Sequence, residues 1–543
     1  MNARTVSDIS RVEFDVIIIG AGINGAGIAR DAAMRGLTVL LLDKGDIGGG
    51  TSSWSTRLIH GGLRYLEHAE FGLVRESLRE REILLKIAPH LVKPLPLLIP
   101  IYKGSRRGPV TIRVGLTAYD VLSFDKTLRR HRMLSRAEAL REAPGLNPEG
   151  LLAAAVYYDA QVEFAERLVF ENVLAAQGQR ATVITYARVT ELVVANGRAC
   201  AVEFVAGRTG ERHTARGKII INAAGPWVDQ LLEQTSQNKP LIGGTKGSHI
   251  IVGPFSGAPS SAVYAEAEAD RRQFFIIPWN GNYLIGTTDT RFEGDLEQVV
   301  AESGEIDYLL NETNRVFPQA KLTTNQILYT YSGVRPLAYT GGKDESSITR
   351  RHFIREHPQL SNLFSIVGGK LTTYRSLSEQ CVDLLFRKLR KRSPKCTTAR
   401  VPLPGAIEFA AFADEFRKQS RFSAPVNNRL LRIYGTRAGE VAELCTRDPA
   451  FAEPFNKAAD ALAGEIVFSF EREMAETLSD SLLRRTVIGL NGDLAAGDDE
   501  IAADIGRRFL GWSEERAANE VTMYRSDIDR LRLRQNYGRL TDT

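Results

Sequence analysis

Residues 14–43 read FDVIIIGAGINGAGIARDAAMRGLTVLLLD. The run Phe14–Gly20 is apolar and β-branched, the pattern of a strand buried on both faces of a parallel sheet. A Gly/Ala-rich helix is expected to follow to about Arg35, closed by Gly36. Thr38–Leu42 then reads as a second strand, ending at Asp43. Together they make one βαβ unit with Gly20-x-Gly22-x-x-Gly25 at its strand-to-helix turn. Gly20 permits the tight turn, Gly22 lets the backbone approach a pyrophosphate, and Gly25 lets the helix pack close on the strand. The helix N-terminal N–H groups and dipole hold phosphate charge. Asp43 follows at the spacing that suits an acceptor for ribose hydroxyls.

The glycine motif alone does not separate NAD from FAD. The loop after the second strand, DIGGGTSSWS (46–55), is small and hydroxyl-rich. It can pass close to a second phosphate and a flavin edge, with Thr51, Ser52 and Ser53 as donors. Next comes RLIHGGLRY (57–65), in which His60, Arg64 and Tyr65 surround a Gly-Gly pair. A charged helix is expected over Glu70–Lys86, which leaves a surface cation as the other reading of Arg64. Far downstream, LFSIVGGKLTTYR (363–375) reads as strand, Gly-Gly and helix start, with Lys370 in the first turn. A helix N-terminus and a lysine aimed at a flavin ring would stabilise negative charge on its reduced form.

Around these motifs the chain is ordinary for a globular protein. It has 543 residues, 43% hydrophobic and 25% charged, long enough for about three lobes. Wholesale disorder, collagen and coiled coil are excluded. The four cysteines (Cys200, Cys381, Cys396, Cys445) form no CxxC pair, and no metal-ligand spacing is present. No metal is therefore expected, and a reducing compartment is. A net charge of +5 is too small for this length to imply nucleic acid. No apolar run reaches the roughly 20 residues that span a bilayer, and the polar start is unlike a signal peptide. Both point to the cytoplasm.

Two later segments repeat strand-then-glycine: Lys218–Gly225 (KIIINAAG) and Leu363–Gly369. Strand-rich sequence lies between them, around Arg272–Ile277 and Tyr283–Gly286. This predicts one nucleotide-binding domain built discontinuously, with a β-rich substrate domain inserted in it. The stretch LVKPLPLLIPIY (91–102) carries three prolines, which confine it to sheet edges or extended structure. With Lys103, Arg106, Arg107 and Arg113 after it, it could form an apolar lip with basic flanks that rests on an anionic leaflet. The segment 387–400 holds seven Lys or Arg and reads as a solvated linker. Helical periodicity runs from Phe409 to the end.

A family resemblance emerges from motifs in fixed order: GAGINGAG (20–27), TSS then LIHGGLRYLE (58–67), NAAGPWV (222–228), KGSHIIV (246–252), IIPW (276–279), IGTTD (285–289), YSGVRPL (331–337), ITR (348–350) and GGKLTTYR (368–375). The chain resembles the FAD-dependent glycerol-3-phosphate dehydrogenases of the aerobic, respiratory type over about residues 14–380. A weaker match covers 473–486. Thr56-Arg57, Asp43 and Ala224 depart mildly from the family pattern.

The resemblance implies an α/β fold: an FAD-binding Rossmann-like domain of the glutathione-reductase/D-amino-acid-oxidase type, an inserted β-rich substrate domain and a C-terminal helical domain. The expected division is 1–90, 161–230 and 348–390 for FAD, 91–160 and 231–347 for substrate, and 391–543 for the helical domain. It adds Lys44, His60, Gly61, Val189, Ala224, Gly225, Gly369, Lys370, Leu371 and Thr372 to the cofactor residues.

The implied reaction is oxidation of sn-glycerol 3-phosphate to dihydroxyacetone phosphate. A phosphate dianion is best gripped by guanidinium forks, for which Arg335, Arg350 and Arg64 are candidates. Arg335 could instead orient the substrate oxygen. His60 and His249 are the candidate bases, with His60 favoured because it follows the flavin-proximal loop. Tyr65 and Thr288 could bind substrate hydroxyls, His249 could contact the substrate, and Lys370 would tune the flavin and position substrate.

The oxygen-using oxidases of the family often carry a mid-chain insertion, and its absence favours a membrane quinone as acceptor. The implied location is cytoplasmic, peripheral on the inner membrane, and a homodimer is one candidate assembly. The competing readings are a glycerol-3-phosphate oxidase, an amino-acid or amine oxidase of the same fold, an FAD-bearing RNA-binding protein and a non-catalytic membrane-docking subunit.

Overall fold

The computed structural model describes residues 6–207, 209–233, 235, 239–341 and 351–533. The opening unit forms as its sequence requires: β1 (Glu13–Ile19), α1 (Ile23–Met34) and β2 (Val39–Leu42). Phe14 through Ile19 of β1 are buried, as expected of a strand covered on both faces. β1 lies parallel between β2 and the strand Arg212–Asn222, with Val16 opposite both Val39 and Ile219. The strand Leu363–Val367 adds in parallel beyond Arg212–Asn222, pairing Ile220 with Leu363. Two segments more than 140 residues apart in sequence therefore return to the sheet that β1 starts. Their strand-then-glycine ends stop at the same sheet edge as Gly20, so three glycine turns converge there.

A second, ten-stranded sheet carries Val92–Tyr102, Leu151–Val162, Thr245–Val252, Gln273–Trp279, Asn282–Gly286 and Ile327–Arg335. The stretch 91–102 differs from expectation. It is an interior strand, paired along its length with Leu151–Val162 and touching Ala262–Glu266 at Leu97 and Leu98. Pro94, Pro96 and Pro100 share one parity, which leaves the ladder to the odd-numbered residues between them. Leu95, Leu97, Leu98, Ile99 and Ile101 are buried, so this stretch is no membrane lip.

The basic segment 387–400 is mostly exposed and irregular from residue 391, as a solvated linker should be, but it is anchored at its start. It begins inside the helix Tyr374–Leu389, and Lys388 and Lys391 pair with Glu356 and Asp15 of the first sheet.

From Phe409 to Asp529 the chain is helical and shares one hydrophobic core with a face of the second sheet. Buried ion pairs tie this region to the rest of the molecule. Glu473 takes Arg167 at 2.6 Å and also Arg437, while Asp46 takes Arg485 at 2.7 Å and also Arg484. Among the described residues no helix is long and apolar enough to cross a membrane.

Candidate active site

The glycine turns of the first sheet open into a cavity of about 1470 Å³ whose far wall is the second sheet. Its first wall is the turn after β1. Gly20 has φ +106°, and a Cβ there would lie 2.6 Å from the Ala223 carbonyl oxygen. A Cβ on Gly25 would lie 1.8 Å from the Gly20 carbonyl oxygen, so the close helix–strand packing needs glycine at both ends. The Asp43 carboxylate accepts N–H bonds from Ala21 (2.5 Å) and Gly45 (2.9 Å), and burial pushes its pKa up to about 6. Lys44 pairs with Glu297 and lies 4.1 Å over the Trp227 ring.

The loop after β2 arches over this turn. Ser52 Oγ accepts the Ile23 N–H at 3.0 Å, and Thr51 donates to the Val334 carbonyl at 2.7 Å. Both face the cavity with Gly22, Val189, Ala224 and Gly225. Ser53 does not. It is buried and donates to the Gly48 carbonyl at 2.6 Å, closing the loop on itself, and so is corrected from cofactor donor to loop brace.

The next wall joins two distant motifs. The His60 N–H donates to Thr372 Oγ1 at 3.1 Å, and Lys370 Nζ sits 3.8 Å over the Tyr65 ring. His60, Arg64, Tyr65, Gly369, Lys370, Leu371 and Thr372 all line the cavity. Gly61 points away: its N–H bonds Tyr119 Oη at 2.8 Å, and Gly62 takes its expected place in the lining. Burial lowers the His60 pKa to about 4, with Lys370 and Arg81 adding to the effect against Asp159.

The second sheet supplies Arg335 from the end of Ile327–Arg335. Its guanidinium bonds Asp289 Oδ1 and Thr287 Oγ1, each at 3.0 Å. Arg272 donates to the Asp289 carbonyl at 2.6 Å, which brings a second guanidinium to the same corner. His249 Nε2 lies 2.9 Å from Thr56 Oγ1, and its ring stacks on Tyr331 at 4.7 Å. Burial, with Arg335 and Arg57 nearby, holds the His249 pKa well below the ordinary range.

Thr288 is a second correction. Its hydroxyl is spent on Glu305 (2.6 Å) and the Ser248 N–H (2.9 Å), outside the lining, while Thr287 and Asp289 on either side face the cavity. Arg350 lies outside the described residues. Among the described residues, no group of three or more His, Cys, Asp or Glu is disposed to hold a metal.

Sequence reasoning missed Trp54, Asn24, Arg272 and Glu297. Trp227 was legible in the NAAGPWV motif. Its indole Nε1 is buried without a hydrogen-bond partner among the described residues, in the wall of the cavity. A glycine cradle at a helix N-terminus, a buried acid beside it and an orphaned donor in the same wall suit an adenine dinucleotide.

A cavity that begins at such a cradle and ends at a cluster of arginine, lysine and histidine defines a flavin-dependent oxidoreductase. Residues 15–374 match the family model "FAD dependent oxidoreductase", and 396–517 match "C-terminal domain of alpha-glycerophosphate oxidase". A glycerol-3-phosphate dehydrogenase of Synechocystis sp. is 45% identical over 96% of this chain and 97% of its own length. An aerobic glycerol-3-phosphate dehydrogenase of Staphylococcus haemolyticus is 34% identical over 88% and 87%. The structure of the glycerol-3-phosphate dehydrogenase from Bacillus halodurans complexed with FAD superposes with a TM-score of 0.80 at 29% identity, covering 97% of this chain and 96% of that one. The chain belongs to the glycerol-3-phosphate dehydrogenase family, and its cofactor is FAD.

Proposed function

We propose that this enzyme oxidises sn-glycerol 3-phosphate to dihydroxyacetone phosphate and delivers the electrons to a membrane quinone. The observation that carries this reading is that His60, Arg64, Tyr65, Arg335 and Lys370 line the same cavity as the Gly20–Gly25 turn. FAD would be held by the Gly20–Gly25 turn and would supply a two-electron, hydride-accepting group at its N5.

The protein's own residues do the rest. Arg335, with Arg64, holds the phosphate dianion through paired N–H donors, and Arg350 is proposed as a third cation. The Arg335–Asp289 pair fixes the guanidinium plane before substrate arrives, which lowers the ordering cost of binding. His60 takes the C2 hydroxyl proton. Its depressed pKa keeps the imidazole neutral, and hence able to accept, at neutral pH. Lys370 places positive charge beside the reacting end of the cavity. His249, held by Thr56, is the second candidate base. In this reading residues 1–90, 161–230 and 348–390 form the FAD domain, 91–160 and 231–347 the substrate domain and 391–543 the helical domain.

Quinone chemistry needs a membrane surface, and the helix Pro109–Leu122 offers one. Val110, Val114 and Val121 recur at helical spacing on one face, and Phe124 follows; their exposures are 77%, 64%, 66% and 79%. Arg106, Arg113, Arg129 and Arg130 are exposed around them. We assign this face, in place of 91–102, to an anionic leaflet, where each near-surface cation contributes about 1 kcal/mol.

The test is anaerobic mixing of the purified yellow protein with sn-glycerol 3-phosphate. Bleaching of the flavin band, followed by recolouring with a quinone and without peroxide release in air, is expected. Bleaching by glycine derivatives in place of the phosphoester would overturn the substrate, and peroxide release without added acceptor would overturn the quinone.

A further inference from the structure

The last helix, Glu514–Asp529, ends against the cofactor cavity. Leu531 is buried, and its carbonyl accepts the Thr330 N–H at 2.7 Å, which pins the helix end to the strand that carries Arg335. The residue between helix and anchor is Arg530. Its guanidinium lies 4.9 Å from the centroid of the Trp54 ring and lines the cavity. Trp54 belongs to the loop whose Ser52 Oγ takes the Ile23 N–H at the first turn of α1. Arg530 therefore reaches, from the far end of the chain, the loop that arches over the phosphate cradle.

Among the described residues no carboxylate lies within ion-pair distance of Arg530. Two acids are near enough to act on it electrostatically, Asp527 and Glu297. Asp527 accepts the Ser479 hydroxyl at 2.6 Å, and Glu297 takes Lys44. Burial lowers the Arg530 pKa from its ordinary value, and Arg484 adds like-charge repulsion. A half-buried guanidinium with no carboxylate in ion-pair reach among the described residues is unfavourable, and its position over an aromatic face compensates only in part. Neighbouring cations of the loop are already matched: Arg484 and Arg485 both hold Asp46.

We propose that Arg530 is a cofactor-binding residue whose guanidinium donates to a phosphoryl oxygen of the FAD pyrophosphate, so that the C-terminal helical region closes the flavin site. The proposal rests on the FAD assignment and not on the identity of the substrate. The phosphate of a small phosphoester has the same chemistry, and the two sources are separable by experiment.

Full-length Arg530→Gln and Arg530→Lys are purified as holoenzymes, and FAD release on dilution is followed by the rise of free-flavin fluorescence. Arg530→Gln is expected to release FAD at least about tenfold faster, with Arg530→Lys in between, because lysine keeps the charge and loses the fork. The KM for sn-glycerol 3-phosphate of the FAD-saturated variants is expected to stay near the parent value. Thermal melts of the apoproteins are expected to coincide, which a purely structural contact would not produce. Unchanged FAD release, whether KM is unchanged or raised, overturns the proposal, and a raised KM alone would assign Arg530 to the substrate phosphate.

Discussion

Lys370 Nζ lies 3.8 Å from the centroid of the Tyr65 ring. Two motifs separated by some 300 residues thus meet as one cation–aromatic pair on the cavity wall. The ring holds the ammonium against the cavity wall through a cation–aromatic contact. Lys370→Met is expected to retain FAD and to slow flavin reduction by about 10²-fold, the scale of losing one preorganised electrostatic group. Stopped-flow absorbance measures this directly, and a parental rate would remove Lys370 from the reacting end.

Arg335 is held by Asp289 and Thr287 and faces the cavity. Arg335→Ala is expected to lower kcat/KM for sn-glycerol 3-phosphate by about 10²–10³, with Arg335→Lys recovering part of the loss. The FAD content of both variants should match the parent, since Arg335 comes from the second sheet and not from the cradle. Near-normal steady-state kinetics of the alanine variant would place the phosphate elsewhere.

Burial gives His60 a pKa of about 4, against about 6.5 in an unfolded chain. Between those values the unfolded chain binds more protons, so the contribution of His60 to stability rises with pH and is lost as pH falls from 6.5 toward 4. Full titration of one such group changes stability by about 1.4 kcal/mol per pH unit. Thermal melts across pH 4.5–7.5 should therefore show a shallower acid slope for His60→Gln than for the parent, by up to one proton. Identical slopes would mean that His60 is not a buried neutral imidazole. His60→Ala should also slow flavin reduction more than it weakens substrate binding.

The exposed face of the helix Pro109–Leu122 makes a prediction that leaves the chemistry alone. The paired change Val114→Asp and Phe124→Asp is expected to abolish co-flotation with vesicles containing phosphatidylserine or cardiolipin. Reduction of the flavin by substrate should be unaffected. Binding of the parent protein should weaken between 50 and 500 mM salt, as expected for basic residues on an anionic surface. Undiminished flotation of the double variant would reassign the surface.

The parts of the site legible in the sequence are those whose geometry is local. Gly20, Gly22, Gly25 and Asp43 sit on one βαβ unit, and short-range sterics fix all four. Lys370 was legible as a cavity residue from its Gly-Gly motif, but the helix begins only at Tyr374, so Lys370 lies in the turn that precedes the helix and not in its first turn. Ser53, Gly61 and Thr288 were misread because a loop or strand alternates its faces residue by residue. Knowing the segment does not say which neighbour points inward. Three prolines made 91–102 look like an edge, yet their shared parity lets an interior strand tolerate them. Arg272 and Arg530 carried no local signal at all, since only tertiary packing brings them to the cavity.

The grip of Arg484 and Arg485 on Asp46 joins distant parts of the chain, Asp46 and Arg485 being 439 positions apart in sequence. During synthesis the cofactor loop leaves the ribosome long before the residues that brace it. The first sheet itself needs Leu363–Val367, and the flavin pocket lacks the Asp46 bracing until Arg484 and Arg485 have been made. The loop that lines the cofactor cavity is thus braced by one of the last-made parts of the polypeptide.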